Sequence, residues 1–118
     1  MGPSPISDLT TQSLHSALRG LALRRQSFQD NIANAETPGY LASRVSFEDA
    51  LATALEDGEP LSMTPSTHRT LDPTNMNGNN VQVDQELVGL SENQLRGQLV
   101  TEALNAKYRL LRTAIVGA

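Results

Sequence analysis

The side chains that could do chemistry are few. Histidine occurs twice, at His15 and His68. Neither has a cysteine, a second histidine or a carboxylate at metal-ligand spacing, so both read as structural or solvated groups. Glu48/Asp49 and Glu56/Asp57 are acidic doublets of the kind a general acid–base pair uses. No apolar neighbour is placed to raise one pKa of either doublet, and a solvated helix face is the plainer reading. The run NMNGNN invites comparison with a calcium loop. With Gly78 at the sixth position, Asn75 and Asn77 fall at the third and fifth and Asp84 at the twelfth, but the first is Pro73, which has no side-chain ligand. There is no Walker-type phosphate loop and no G-x-S-x-G elbow. The absence of cysteine removes disulfides and thiolate metal sites. The expectation is a non-enzyme with no cofactor and no small-molecule substrate.

Bulk composition narrows the fold. A chain of 118 residues is one domain or less. Its apolar content is 38%, with two Phe, two Tyr and no Trp, against about 45–50% for an ordinary globule. A thick core is excluded, and long helices covered by Ala, Leu, Gln, Glu and Arg are favoured. The net charge is −4 and the nine basic residues are scattered, so no stripe marks a nucleic-acid surface. No apolar run approaches the roughly 20 residues of a membrane span. MGPSPISDL lacks a basic n-region and an apolar h-region, so a cleavable secretory signal is not expected. The protein stays in the cytoplasm or leaves by another route.

The elements follow from period and punctuation. Residues 1–7 read as a flexible leader, and residues 8–35 as a helix capped by Asp8 or Ser7. Leu14, Leu21, Phe28 and Ala35 recur every seven residues, with Leu18 and Ile32 four after Leu14 and Phe28. They make one stripe, interrupted at Arg25. Pro38 stops the helix by removing an amide donor and restricting Thr37. Gly39 then supplies the positive φ of a type II turn, Thr37-Pro38-Gly39-Tyr40, and Asn34 can donate to the last free carbonyls. A short middle helix is expected over 46–57, opened by Ser46 with Asp49 in a capping-box spacing and closed by Gly58. Residues 59–80 read as a long mobile loop. The last helix covers 84–116, with Asp84 as its cap. One stripe on it runs Leu87, Leu90, Leu104, Tyr108, Leu111 and Ile115, weak at Gln94, Gly97 and Thr101. A second runs Val88, Leu95, Leu99, Ala103, Ala106 and Leu110 in another direction. A helix apolar on two sides must be buried on two sides. The first helix can cover one side and little else in the chain can cover the other, so the sequence implies partners.

Two strings then stand together. Asn31, Ile32, Ala33, Asn34, Thr37, Pro38, Gly39 and Tyr40 close the first helix. Gly78-Asn79-Asn80-Val81 opens the last, which ends Leu111-Arg112-Thr113-Ala114-Ile115. The combination resembles the rod and hook axial proteins of the bacterial flagellum, and within them the proximal-rod FlgB family, over about 100 of 118 residues. Gly97 departs from the pattern, since members often carry an aromatic residue there. The resemblance implies an all-α fold whose terminal helices pair as an antiparallel coiled coil, with the short helix and loop as an outer extension. It implies a structural subunit of the basal-body rod in the periplasm, exported by the flagellar type III apparatus. The implied partners are other copies, other rod proteins, the rod-to-ring junction protein and the export gate. Asn31 and Asn34 would specify register or neighbour contacts. A small helical binding module, such as a type III export chaperone or adaptor, is the alternative from a different class.

Overall fold

The computed structural model describes residues 8–117; the leader read over residues 1–7 lies outside the described residues. Helix α1 (Leu9–Ala33) starts where Asp8 accepts a hydrogen bond from the Thr11 amide at 2.8 Å. Helix α3 (Val83–Val116) starts without such a cap. Gln82 holds the N-cap position and makes no side-chain bond, so Asp84 does not cap. Asp84 and Glu86 instead lie in the first turn, where the helix dipole favours carboxylates. The two helices run antiparallel. Lys107 pairs with Asp8 at 2.8 Å, Asn93 donates to the Leu21 carbonyl at 2.9 Å, and Asn31 donates to Glu86 at 2.9 Å. Contacts thus descend α3 as they climb α1. No helix among the described residues is long and apolar enough to cross a membrane.

The chain between them folds back on α1. Strand β1 (Ser43–Ser46) is followed by α2 (Glu48–Glu56), a 3-10 turn at Pro60–Ser62 and strand β2 (Ser66–Arg69). The strands pair antiparallel, Ser43 opposite Arg69 and Ser46 opposite Ser66. This corrects the all-α expectation: the protein is mostly helical with a small two-stranded sheet, and β2 lies inside the segment read as a loop. Each strand has four residues, and all of β2 is exposed. No apolar alternation marks such a strand, because its order comes from a distant partner rather than from its own burial. The capping box at Ser46 is also not formed. Phe47 occupies the N-cap of α2 and makes no side-chain cap bond. The other end behaves as its sequence reads. Gly58 takes φ 75°, its amide reaches Leu55 O at 3.0 Å, and the Glu59 amide reaches Ala54 O at 2.8 Å, a Schellman closure.

What apolar core exists sits between α1 and this extension. Leu21, Val45, Phe47, Ala54 and Met63 are its buried members, edged by Ala17, Ala50, Leu51 and Val100. The face of α1 that receives the extension is made of small or polar residues at three- and four-residue spacing: Ser16, Gly20, Arg24, Ser27 and Asn31. Ser16 donates to Pro60 O at 2.7 Å, Arg24 to Val45 O at 2.9 Å and Ser27 to Ser43 O at 2.9 Å. The Phe47 ring lies directly over Gly20.

On α3 the buried seam differs from the one read in sequence. Glu86, Leu90, Asn93, Gly97, Val100, Leu104, Lys107 and Leu111 alternate four and three residues apart, and all are buried or half-buried. Leu90, Leu104 and Leu111 were expected there. Leu87, Tyr108 and Ile115 are instead exposed. The seam tolerates Glu86, Asn93 and Lys107 because each has a partner on α1 or at its cap. A search for apolar residues alone drifts off such a seam.

The glycines give a direct test of this packing. A Cβ on Gly20 would lie 2.5 Å from the Phe47 ring, and one on Gly89 2.5 Å from the Phe28 ring, whereas one on Gly97 meets nothing within 4 Å. Gly97→Ala should stabilise by about 0.5–1 kcal/mol through helix propensity. Gly20→Ala and Gly89→Ala should destabilise by about 1–3 kcal/mol through overpacking despite the same propensity gain. Urea unfolding followed by circular dichroism measures all three.

Candidate functional site

The two strings singled out in the sequence meet in space. Thr37-Pro38-Gly39-Tyr40 is the expected type II turn: Gly39 has φ 75°, and the Tyr40 amide donates to Thr37 O at 3.2 Å. The Asn34 side chain donates to Asp30 O at 2.8 Å and so closes α1. Gly78 packs on this turn so closely that a Cβ there would lie 3.3 Å from the Gly39 Cα, and the Gly39 amide donates to Asn77 O at 2.9 Å.

Three buried asparagines stitch the corner. Asn79 donates to Asn34 O at 2.9 Å and Thr37 O at 2.8 Å, and accepts from the Val81 amide at 2.7 Å. It therefore adds a second donor to two carbonyls of the turn after α1, which already accept from the Thr37 and Tyr40 amides. Asn80 accepts from the Ala42 amide at 2.7 Å and donates to the Thr70 hydroxyl at 2.8 Å, joining the segments that enter β1 and leave β2. Asn31, 0% exposed, pairs with both backbone groups of Ser43, giving to its carbonyl at 3.0 Å and taking from its amide at 2.9 Å. Its amide thus does for β1 what a neighbouring strand would do. The Tyr40 hydroxyl donates to the same Asn31 oxygen at 3.2 Å.

The second donor contact of Asn31 goes to Glu86, which is also 0% exposed. Arg44 closes a two-point ion pair on that carboxylate, at 2.8 Å and 3.1 Å. One cluster of side chains therefore ties α1, β1 and the first turn of α3 together. The hydrogen bonds of the Asn31 side chain are made within the subunit. Sequence reading picked out Asn31 and missed Glu86, Arg44, Ser27 and Asn93. The available signal was the position of Glu86 and Asn93 in the four-three register of Leu90 and Leu104.

At the other end of β1, Arg24 forms a two-point pair with Glu48, both contacts at 2.7 Å, and stacks 4.6 Å from the Phe47 ring centroid. That hydrogen-bonded guanidinium lowers the Glu48 carboxyl from 4.5 to about 2. Lys107 and the first-turn amide likewise lower Asp8 from 3.8 to about 2. His15 shares a 3.0 Å hydrogen bond with the Tyr108 hydroxyl, and His68 lies in β2. No group of three or more potential metal ligands occurs among the described residues.

The stripes read in sequence divide into an inner and an outer set. Leu21 is buried, and Leu14, Leu18, Phe28 and Ile32 are half-buried. Beside Gly97 the two helices part, leaving an open groove of about 830 Å³ floored by Leu18, Leu21 and Leu90. The second stripe of α3 faces outward: Val88, Leu95, Leu99 and Leu110 are 59%, 58%, 64% and 65% exposed. At about 100° per residue this stripe points roughly 140° away from the seam.

Glu86→Ala should cost about 3–5 kcal/mol, because it leaves Arg44 unpaired in a largely buried setting. Replacing Arg44 and Glu86 together by Met and Leu should cost less than Glu86→Ala alone; chemical denaturation decides. The folded-state pKa of Glu48 lies below its unfolded value. Its stabilisation is therefore complete above about pH 5 and is lost as pH falls toward 2. Glu48→Gln should flatten the pH dependence of the melting temperature in that window. Because Glu48 faces solvent the effect should stay within about 1 kcal/mol.

No family model matches the chain. Among curated proteins it is similar to the flagellar basal body rod protein FlgB of Bacillus subtilis, at 31% identity over 92% of this chain and 94% of that protein. The FlgB of Borreliella burgdorferi is 36% identical over 74% of this chain and 81% of its own length. For the FlgB of Escherichia coli the values are 28%, 86% and 89%. With such identity across nearly the full length of these relatives, the chain belongs to the FlgB family of flagellar basal body rod proteins, which are structural components and not enzymes.

Proposed function

We propose that the protein is a structural subunit of the proximal part of the flagellar rod and is built into it through the outward face of α3. The observation that carries this is the stripe of Val88, Leu95, Leu99 and Leu110, more than half exposed along a helix whose other side is already occupied. A row of large apolar side chains of this kind marks an interaction surface. Among the described residues, whose smallest extent is 14 Å, no segment covers it. In the assembly α1 and α3 act as a coiled coil, and the sheet and α2 form an outer layer that meets neighbouring subunits. The neighbours are copies of this chain, other rod proteins, the rod-to-ring junction protein and the export gate. Delivery to the periplasm runs through the flagellar type III apparatus. Family membership gives the export-chaperone alternative no support.

Leu95→Asp combined with Leu99→Asp tests the proposal. Both positions face solvent, so helix content and melting behaviour should stay near those of the unmodified chain. Each buried leucine is worth about 1.5–3 kcal/mol at an interface. Incorporation into basal bodies should therefore fall at least about tenfold, with motility lost in a deletion strain that carries the variant. A motile strain with normal basal bodies would rule this face out.

A further inference from the structure

The run NMNGNN fails as a calcium loop but carries another chemistry. Asn77 is the one asparagine of the chain that precedes a glycine. Asparagine is a thermolabile residue. The carbonyl carbon of its side chain can be attacked by the amide nitrogen of the next residue, and a glycine there puts no Cβ in the way. Asn77 is exposed and Gly78 half-buried, so water reaches the pair.

The corner itself calls for these two residues. Gly78 takes φ 82°, and a Cβ on it would lie 3.3 Å from the Gly39 Cα, so a larger residue is strained there. Asn77 Oδ1 accepts from the Asn79 amide at 3.1 Å. Asn79 in turn braces the turn after α1. A reactive dipeptide therefore stands where the end of α1 meets the approach to α3.

The same corner holds the reacting groups still. The peptide that joins Asn77 to Gly78 is pinned on both edges: its carbonyl accepts from the Gly39 amide at 2.9 Å, and its N–H donates to Asn75 O at 2.9 Å. The Asn77 side chain is fixed by the Asn79 amide. Attack requires the Gly78 nitrogen to lose its proton and turn toward Asn77 Cγ, and both changes break its bond to Asn75 O. A near-attack arrangement is thus reached through local opening.

We propose that Asn77 is a self-modification site, which deamidates through a ring with Gly78 when the corner is open and is protected when it is closed. The deprotonated Gly78 nitrogen bonds to Asn77 Cγ, the Cγ–Nδ2 bond breaks, and ammonia leaves with the proton. Water then opens the five-membered imide. Cleavage at Cγ leaves aspartate in a normal chain. Cleavage at the backbone carbonyl carbon leaves isoaspartate, whose main chain runs through Cβ and Cγ. The first product keeps an acceptor for the Asn79 amide and the backbone carbonyl that meets Gly39. The second lengthens the main chain inside the turn and turns that carbonyl into a free carboxylate, so the corner no longer closes as before. The site records the time a chain has spent with its corner open.

The full chain is incubated in warm, mildly alkaline buffer, its helix content verified by circular dichroism, and in parallel in guanidinium chloride. Peptide mapping then counts aspartate and isoaspartate at each asparagine position. Position 77 should react first, and at least about tenfold faster in denaturant. Equal rates would overturn the protection, and conversion led by another asparagine would overturn the site. In denaturant Gly78→Ala should slow the reaction at least about tenfold, because its Cβ hinders ring closure; an unchanged rate would exclude the ring. In buffer Asn79→Ala, which loosens the corner, should raise the rate, whereas Gly89→Ala, which weakens the helix pair elsewhere, should not. Equal rises in both would overturn control by the corner. The isoaspartate product, separated and returned to buffer, should melt several degrees below Asn77→Asp. Matching melts would overturn the damage assigned to the lengthened chain.

Discussion

A polar group taken out of water must find a hydrogen-bond partner, and this protein is organised around side-chain amides that serve as those partners. Asn31 completes the backbone of Ser43, Asn79 braces the turn after α1, and Asn80 joins the segments on either side of the sheet. Each is at most 4% exposed. An unsatisfied buried amide or carbonyl costs about 1–3 kcal/mol, so chain reversals without these side chains would be left with several such penalties. The conformation of the corner and its asparagines therefore depend on each other.

The same logic explains how a molecule 64 Å long and 14 Å thin holds together with so little apolar interior. Its core cluster has five buried members. Small residues on α1 let the extension approach until backbone carbonyls meet Ser16, Arg24 and Ser27. Gly20 lets the Phe47 ring lie against the helix, with the Arg24 guanidinium 4.6 Å from the ring centroid. Large side chains along that face would hold the extension off and remove those bonds. Close approach, not bulk, is what binds the outer layer to the helical pair.

The division of labour on α3 follows. Its inner seam is partly polar: Glu86 is held by Asn31 and Arg44, the Asn93 amide nitrogen by Leu21 O and Lys107 by Asp8, while the Asn93 side-chain oxygen is buried without a partner. Its outer stripe is apolar and unsatisfied. A seam that is specific but not greasy fixes how α1 and α3 register. A stripe that is greasy but internally idle is free for assembly. The assembly role proposed for that surface rests on membership in a family of rod proteins.

The amino-acid sequence by itself determined the long helices, the stop at Pro38 with its Gly39 turn, the Schellman closure at Gly58 and the second apolar stripe. Each of these rests on local propensity or helical period, which short windows of sequence contain. It also held the strings around Asn31 and Asn79, though not the reason for them. Only the tertiary structure decided the strands Ser43–Ser46 and Ser66–Arg69, the place of Glu86 and Asn93 in the seam, and the partners of the asparagines. Those features are set by groups as far as 72 residues away in the chain. A serine-rich strand or a buried glutamate gains its stability from a distant hydrogen-bond partner, and no periodicity in its own neighbourhood records that partner.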